Sequence, residues 1–412
     1  MRVLVVQETD WVDRNPILHH RMLETLAREG DEVVVVDFDI QWHEKGRWPL
    51  VQRRTVITDC HKFLPDADVT VIRPATLRLP AVARPSWILA NGPELRRLFR
   101  QFRPEVVVAY SISNAWFALR LARRHGVPFV YHVLDALHTL AEPAVLRPVA
   151  RPVERAVMRG ADEVVVINNG LRDYALGMGA PPDRLRVLPM GVDRPAPAVP
   201  GADAAAVEAT RQALGFGPDD LVLLFMGWLY RFSGLPELLD QLHATAGEMP
   251  WLKLLVVGNG DLCDELGRAR DRLGLGGRVV LTGRRPVTEM PGFLRAAGVG
   301  LLSARPIVTM QHIVPAKVVE YMENANPVIA TRLPGLRAEF GDLPGVLYVD
   351  GPEGVAAQVR RTFGAATDRR AVAAALGRSC AELMAGRPTW DEVTSPFRDV
   401  VHNARRRPAA PA

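Results

Sequence analysis

Short runs of apolar residues alternate along the chain with longer segments in which apolar residues recur every three or four positions. The runs in the first half are rich in Val and Ile and show no polar alternation, which is typical of parallel strands covered on both faces. They predict strands at RVLVVQ (2–7), DEVVVVD (31–37), DVTVIR (68–73), PEVVVAY (104–110), PFVYHVL (128–134) and DEVVVIN (162–168). Helical segments such as 17–30 and 114–126 lie between them and end at glycine, as helices often do.

The second half repeats this alternation of buried runs and helical segments. Its predicted strands are LVLLFMG (221–227), WLKLLVVG (251–258), RVVLTG (278–283), GVGLLS (298–303), NPVIAT (326–331) and GVLYVD (345–350). The pattern therefore predicts an α/β chain with two doubly wound parallel sheets. Such sheets bind ligands at the carboxyl ends of their strands, so we expect the active site in a cleft between the two domains.

We expect the first domain to span 1–190 and the second 191–389. A Pro/Ala-rich stretch, 194–206, reads as a linker between them. A C-terminal helix at about 390–405 is expected to pack back on the first domain, and 406–412 is expected to be a disordered tail.

The composition is that of an ordinary soluble protein, with 48% apolar and 24% charged residues among 412. The first apolar run breaks at Glu8, which is too early for a signal peptide, and no apolar stretch reaches the length of a membrane span. Three scattered cysteines without metal-ligand spacing suit a reducing compartment. We therefore expect a cytoplasmic protein.

Positive charge is concentrated in residues 1–190, which hold 26 basic and 22 acidic side chains. The stretch 146–160 places an arginine at every fourth position, with a parallel row of valines: Arg147, Arg151, Arg155 and Arg159, and Val149, Val153 and Val157. Such a face either contacts anionic lipid, as at the inner face of a membrane, or is simply solvated. Pro148 and Pro152 predict that its helix begins late. The small basic excess and the absence of a recognition motif argue against nucleic-acid binding.

Glycine follows several predicted strands of the second half, in GWLYRFSG (227–234), GNGD (258–261) and GRRP (283–286). Glycine at such positions lets the backbone approach a ligand closely. The loop after the first strand contains no G-x-G-x-x-G, which argues against a nicotinamide-dependent dehydrogenase.

The second half resembles the family 4 glycosyltransferases over most of 160–340. The segments that carry the resemblance occur in the family's order: RLRVLPMGVD, GWLYRFSG, VVGNGD, VVLTGRRPVTEMPGFLRAAGVGLLS and PAKVVEYMENANPVIA. The resemblance implies a GT-B fold, with two Rossmann-like domains facing across a cleft. It also implies retaining transfer of a hexose or N-acetylhexosamine from a nucleotide-sugar, UDP- or GDP-linked, held mainly by the second domain.

In the family, a glutamate at the position of Glu320 accepts hydrogen bonds from the ribose hydroxyls, which suits a group with two acceptor oxygens and no donor. Its helix would begin after Pro315 and point its amino end at the diphosphate, with Lys317 as a nearby cation. The chain has four lysines against 47 arginines, which makes Lys317 unusual. The alternative is a solvated Lys/Glu pair on a helix face. The remaining donor-side residues implied by the resemblance are Gly227, Gly258 and Arg284.

Three features depart from the family pattern. The first of its paired glutamates falls on His312, which leaves the donor sugar open. Its diphosphate-binding Arg and Lys fall on Trp228 and Ser233, so Arg231 is the candidate for the missing charge. The first loop lacks the family's Gly-Gly, and Asp10 and Trp11 are the acceptor-side candidates there.

FVYHVLDALHTL (129–140) holds the chemical groups expected on the acceptor side. By resemblance, His132 and Asp135 lie near the reacting groups and His138 near the acceptor; a zinc site is disfavoured because a fourth ligand is missing. The diphosphate oxygen can take the acceptor's proton, so neither a protein nucleophile, a metal nor a separate cofactor is expected.

The expected partners are the donor and a sugar or lipid-linked acceptor, as in cell-envelope, exopolysaccharide or glycolipid synthesis. The alternatives are another GT-B enzyme, such as a nucleotide-sugar epimerase or an inverting transferase, and a catalytically silent GT-B binding module.

Overall fold

The computed structural model describes residues 1–13, 16–40, 49–79, 82–141, 144–193, 202–311 and 313–406. The chain divides into a first unit, Met1–Gly191 with Trp390–Ala412, and a second unit, Val192–Thr389. The described strands are β1 Arg2–Val6, β2 Glu32–Val36, β3 Val51–Gln52, β4 Thr55–Ile57, β5 Val69–Arg73, β6 Thr76–Leu77, β7 Val106–Ala109, β8 Phe129–Val133, β9 Glu163–Val166, β10 Leu185–Val187, β11 Leu221–Met226, β12 Leu252–Val257, β13 Val279–Gly283, β14 Val299–Leu302, β15 Val328–Thr331 and β16 Val346–Val349. The described α-helices are α1 Leu18–Arg28, α2 Ala83–Gln101, α3 Ser113–His125, α4 Arg147–Gly160, α5 Asn169–Gly177, α6 Ala202–Ala213, α7 Leu235–Ala244, α8 Cys263–Arg272, α9 Met290–Ala296, α10 Ala316–Glu323, α11 Pro334–Phe340, α12 Val355–Phe363, α13 Arg369–Ala385 and α14 Trp390–Asn403.

The first unit contains an eight-stranded sheet in the order β10-β9-β8-β7-β1-β2-β5-β4. Its strands run parallel except for β4, which pairs antiparallel with β5. β3 and β6 form a separate antiparallel pair. The Val- and Ile-rich strands are almost completely buried, as their continuous apolar runs predicted. Four strands of two or three residues were not predicted, because a segment that short shows no hydrophobic periodicity: β3, β4, β6 and β10.

The second unit contains a six-stranded parallel sheet in the order β13-β12-β11-β14-β15-β16. Chain order reverses between β11 and β14, which are neighbours in the sheet although far apart in sequence. In the first unit the same reversal falls between β1 and β7. Ligands of doubly wound sheets bind at such switch points, beyond the carboxyl ends of the strands.

Two helix boundaries differ from the sequence prediction. α4 begins at Arg147, so the prediction of a late start was wrong; a proline in the first turn lacks an N–H that would be unsatisfied there in any case. α6 begins at Ala202, inside the predicted linker, because its alanines favour helix. The rest of that linker, 194–201, lies outside the described residues.

The last helix, α14, belongs to the first unit and packs on α1. His402 lies 2.7 Å from Asp31, and beyond the helix Arg406 donates two hydrogen bonds to the buried Asp162. Arg406 is the first residue of the tail expected to be disordered, and 407–412 lie outside the described residues. None of the helices in the described part of the chain is long and apolar enough to cross a membrane.

Candidate active site

α10 is fixed across the switch point of the second sheet by Tyr321. The Met226 N–H, at the end of β11, donates to the Tyr321 hydroxyl at 3.0 Å, and this hydroxyl lies 3.5 Å from the Leu301 carbonyl of β14. The tyrosine ring occupies the space where Gly300 has no side chain, since a Cβ there would lie 2.3 Å from the ring. The amino end of α10 is thereby held at the carboxyl ends of β11 and β14.

α10 begins directly after Pro315, as predicted, and Lys317 lies in its first turn. The Lys317 Nζ lies 3.8 Å from the centre of the Phe225 ring. Burial lowers the pKa of Lys317 to about 8, against the opposing effect of Glu320. Glu320, one turn later, has an exposed side chain. Partial desolvation by the neighbouring protein raises the pKa of its carboxyl, against the opposing effect of the Lys317 charge.

Near Lys317 the backbone is glycine at two positions with a positive φ that other residues rarely adopt. Gly258 has φ +149°, and a Cβ there would lie 1.9 Å from the Gly227 carbonyl oxygen. Gly227 has φ +109°, and its missing Cβ would lie 3.5 Å from the Lys317 Nζ. Hydrogen bonds of 2.9 Å from Gly227 N to Val257 O and from Gly258 N to Gly283 O join the loops after β11, β12 and β13. Gly227 therefore leaves room beside the Lys317 ammonium, and Gly258 lets the loop after β12 approach Gly227 closely.

The loop 227–234 presents a row of aromatic rings. Tyr230 stacks on Phe232 with 4.8 Å between ring centres, and the Trp228 ring lies 6.4 Å from that of Tyr230. The Ser233 side chain is buried, and its carbonyl accepts a hydrogen bond from the Ser303 hydroxyl. Arg231 is exposed and lies 3.8 Å from Glu265, which offsets part of its charge. Arg284 is an exposed residue of the loop after β13, and His312 lies outside the described residues.

Glu323, in the last turn of α10, was not identified from the sequence. Its Oε1 accepts a hydrogen bond of 2.9 Å from the Asp193 N–H, and burial raises its pKa to about 7. The spacing of three residues from Glu320 was the one available signal, because it places both carboxylates on neighbouring parts of the helix surface. Glu323 connects α10 to the start of the second unit.

In the first unit, His132 lies within β8 and is completely buried. Its Nδ1 lies 3.1 Å from the Tyr110 hydroxyl, and its ring centre lies 5.3 Å from that of Phe397. Burial lowers its pKa to about 3, so the imidazole is neutral at physiological pH. Among the described residues none hydrogen-bonds to its Nε2. Asp135 lies in the turn after β8, half-buried.

His138 occupies a different setting, in the 3-10 helix Leu137–Leu140. Its Nδ1 lies 2.9 Å from both the Glu154 carboxylate and the Tyr174 hydroxyl, and its N–H donates to Glu154. Glu154 is completely buried in α4. His138 therefore joins the segment after β8 to α4, and none of these contacts involves His132.

Asp10 and Trp11, the other acceptor-side candidates, are both buried after β1. Arg73 lies 2.6 Å from Asp10 and 3.1 Å from Asp37, and it also approaches Asp13 and Asp39. Carboxylate oxygens of Asp10, Asp13 and Asp39 lie within 4.8 Å of one another, a spacing that suits a cation. The Arg73 guanidinium supplies positive charge among these carboxylates. Burial raises the pKa of Asp37 to about 7.

Glu8 is a second residue that sequence reasoning missed, and it lies at the switch point between β1 and β7. One of its carboxylate oxygens accepts hydrogen bonds from the N–H groups of Ser113 (2.9 Å) and Asn114 (3.2 Å) at the start of α3. An acidic residue directly after the first strand was the signal available in the sequence.

Residues 19–191 match the family described as "Glycosyl transferase 4-like domain", and residues 220–364 match "Glycosyl transferases group 1". D-inositol 3-phosphate glycosyltransferase of Segniliparus rotundus is 29% identical over 280 residues, covering 65% of this chain and 59% of that protein. GDP-mannose-dependent alpha-(1-6)-phosphatidylinositol monomannoside mannosyltransferase of Mycobacterium tuberculosis is 26% identical over 233 residues, covering 54% and 57%. The chain thus spans somewhat more than half the length of these relatives.

The solved structure of Anabaena HepE in complex with UDP-glucose superposes with a TM-score of 0.70 at 15% sequence identity. The superposition covers 98% of this chain and all of the HepE chain. At this identity the likeness shows a shared fold.

Proposed function

Because this chain belongs to the family 4 glycosyltransferases and has their GT-B fold, we propose that it moves a sugar from a nucleotide-sugar donor to a hydroxyl acceptor. The donor is a UDP- or GDP-linked hexose or N-acetylhexosamine, and the transfer retains the anomeric configuration. Support comes from the relative named as GDP-mannose-dependent and from the fold neighbour solved with UDP-glucose. The acceptor is a glycolipid or polysaccharide precursor, in line with the phosphatidylinositol mannoside in that relative's name.

The observation that carries the proposal is the placement of Lys317 and Glu320 on α10 at the β11/β14 switch point. The Glu320 carboxylate is exposed and offers two acceptor oxygens, which suit the vicinal hydroxyls of a ribose. Lys317 lies one turn nearer the amino end of the helix, where free N–H groups and the helix dipole favour an anion. In a nucleoside diphosphate the ribose is bonded directly to the diphosphate, so its two parts can contact Glu320 and Lys317 at the same time.

Charge on the leaving diphosphate is stabilised by Lys317 and the amino end of α10. Trp228 and Ser233 carry no charge where the family has its cation pair, and Arg231 is partly offset by Glu265. Lys317 therefore bears more of the transition-state stabilisation than it would with the full set of cations. The acceptor oxygen bonds to the anomeric carbon as the bond from that carbon to the diphosphate breaks, and a diphosphate oxygen takes the acceptor's proton. In this proposal Lys317 and the amino end of α10 take the place of a metal ion.

On the acceptor side we assign Asp135, half-buried in the turn after β8, to a hydrogen bond that orients the acceptor hydroxyl. His132 is completely buried against Phe397, so we assign it to positioning the end of β8 through its contact with the Tyr110 hydroxyl. Asp10, Trp11 and His138 then act indirectly, by fixing the loops around this position.

Titration of UDP, GDP and ADP into the full chain and its Glu320→Ala variant tests the proposal. Loss of a charge-assisted hydrogen bond should weaken binding of the preferred nucleotide by about 1–3 kcal/mol. Glu382→Ala, which removes an exposed carboxylate from α13, serves as the control and should bind like the parent chain. An unchanged dissociation constant for Glu320→Ala would count against the assignment.

Product analysis separates the alternatives. Incubation with the bound nucleotide-sugar and cell extract should yield a new glycoside whose anomeric configuration, read by NMR, matches that of the donor. Inversion would indicate an inverting transferase, and an altered nucleotide-sugar without acceptor would indicate an epimerase. Tight binding without turnover would indicate a silent binding module.

A further inference from the structure

Large aliphatic side chains are exposed together where α4 begins. Leu140, Val145, Leu146 and Val149 are each between 45 and 74% exposed, and we call these four residues the apolar edge. Pro148, Pro152 and Ala156 continue this surface along the outside of α4 and are exposed as well. The apolar surface therefore extends over the 3-10 turn 144–146 and the following helix.

The orientation of this surface is fixed by the inner face of α4. Glu154, Val157 and Met158 are completely buried, and Glu154 is the acceptor for His138 and Tyr174. The helix therefore cannot rotate to bury the apolar edge without breaking these contacts. This result also corrects the sequence interpretation of a valine row, because Val157 points inward while Val149 points outward.

The charges on the outer face of α4 have one sign. Arg151 and Arg155 are exposed beside the prolines, whereas Arg147 and Arg159 are half-buried. Residues 144–160 are all described, and their only carboxylate is the buried Glu154. A surface that combines exposed aliphatic side chains with arginines and lacks acids is complementary to an anionic lipid headgroup layer above an apolar interior.

We propose that the apolar edge docks the chain on an anionic membrane surface. Leu140, Val145, Leu146 and Val149 enter the boundary between headgroups and acyl chains, and Arg151 and Arg155 contact lipid phosphates. The exposed residues are aliphatic, whereas the centres of protein interfaces favour aromatic side chains, and this composition favours lipid over a protein partner. The proposal goes beyond the glycosyl transfer and does not depend on the nucleotide site.

A second basic helix provides a matched control. Arg96, Arg97 and Arg100 are exposed on α2, where Leu89 is the one large apolar side chain exposed within the helix. The pair Arg96→Ala/Arg100→Ala removes the same charge as Arg151→Ala/Arg155→Ala. If the apolar edge is the docking site, only Arg151→Ala/Arg155→Ala will weaken membrane binding.

Flotation of the full chain with vesicles of phosphatidylcholine, with and without phosphatidylglycerol, measures the docking. We expect flotation that depends on phosphatidylglycerol. Arg151→Ala/Arg155→Ala should weaken partitioning roughly 30-fold, because each arginine near a charged surface contributes about fivefold. Val149→Glu should also prevent flotation while keeping the helix, since an acid in a first turn is favourable there. Arg96→Ala/Arg100→Ala should float like the parent chain.

Three results would overturn the proposal: no flotation of the parent chain, equal losses in both double variants, or lipid-independent dimers that Val149→Glu disrupts. The last result would assign the edge to a contact between two copies. Titration of the same variants with UDP or GDP separates this test from the proposed function, because nucleotide binding should be unchanged in all of them.

Discussion

Lys317 is held in surroundings that lysines usually avoid. Its ammonium lies over the Phe225 ring, beside the open space left by Gly227, and burial lowers its pKa to about 8. A partly desolvated cation gains more from an anion than a hydrated one does, since Coulomb attraction is stronger where water is excluded. The short spacing to Glu320 predicted that the two residues share a helix surface. The aromatic contact and the burial depend on β11, and the local sequence contains no sign of them.

Affinity for UDP or GDP should fall as the pH rises through about 8, because the ammonium is present below that pKa and lost above it. If only the protonated lysine binds the diphosphate, the loss approaches about tenfold per pH unit above the pKa. Calorimetric titrations on both sides of this pH measure the effect, and Lys317→Met should bind weakly and lose the pH dependence that comes from the lysine.

Uridine is the control ligand for this experiment, because it shares the titrating base of UDP but lacks the diphosphate. The pH dependence of uridine binding should reflect only the titration of the base, and it should be the same in the parent chain and in Lys317→Met. A Lys317→Met variant that binds UDP as tightly as the parent would contradict the assigned role.

At the scale of elements, the positions of the strands could be predicted from the sequence, but the contacts between the loops that follow them could not. Continuous Val and Ile runs fixed the positions of the buried strands to within about two residues, because burial on both faces leaves a clear apolar signature. The loops after β1 and β2 gave no such signal. Arg73 brings them together from β5 by contacting Asp10 and Asp37, a tertiary arrangement that residue spacing does not encode.

Arg73→Met should destabilise the first unit by about 3–5 kcal/mol near neutral pH, because it leaves buried carboxylates without their cation. The deficit should shrink as the pH falls toward about 7, because the loss of the Arg73 charge raises the pKa of Asp37 further in the variant, which then takes up a proton at a pH where the parent chain does not. A carboxyl whose folded pKa is raised, as for Asp37, binds its proton more readily in the folded state, so acid favours folding. Urea unfolding at several pH values measures both effects.

Arg172→Met tests whether any arginine would give the same result. Arg172 is an exposed residue 3.7 Å from the exposed Asp173, so its loss should cost less than about 1 kcal/mol. A deficit for Arg73→Met that matches this control, or that stays constant with pH, would contradict the role given to the buried network.

At the scale of the whole molecule, residues near the end of the chain complete the core of its first unit. Val393, Phe397 and Val401 of α14 are buried in the same cluster as Val3 and Val5 of β1. The sequence analysis expected a helix at about 390–405 that packs back on the first domain, whereas the residues that it contacts in the first sheet could not be predicted. Phe397 also covers His132, so the last helix contributes to the burial that keeps this imidazole neutral.

Phe397→Ala should lower the stability of the first unit by about 3–5 kcal/mol, as expected for truncating a completely buried ring. A nucleotide that binds the second unit raises the stability of that unit alone, so UDP or GDP identifies which urea transition belongs to it. Phe397→Ala should lower the midpoint of the urea transition that UDP or GDP does not shift. Asp399→Ala, an exposed change on the same helix, should shift neither transition by more than about 0.5 kcal/mol. If Phe397→Ala lowers the nucleotide-sensitive transition equally, α14 stabilises both units together, and the separate contribution argued here is contradicted.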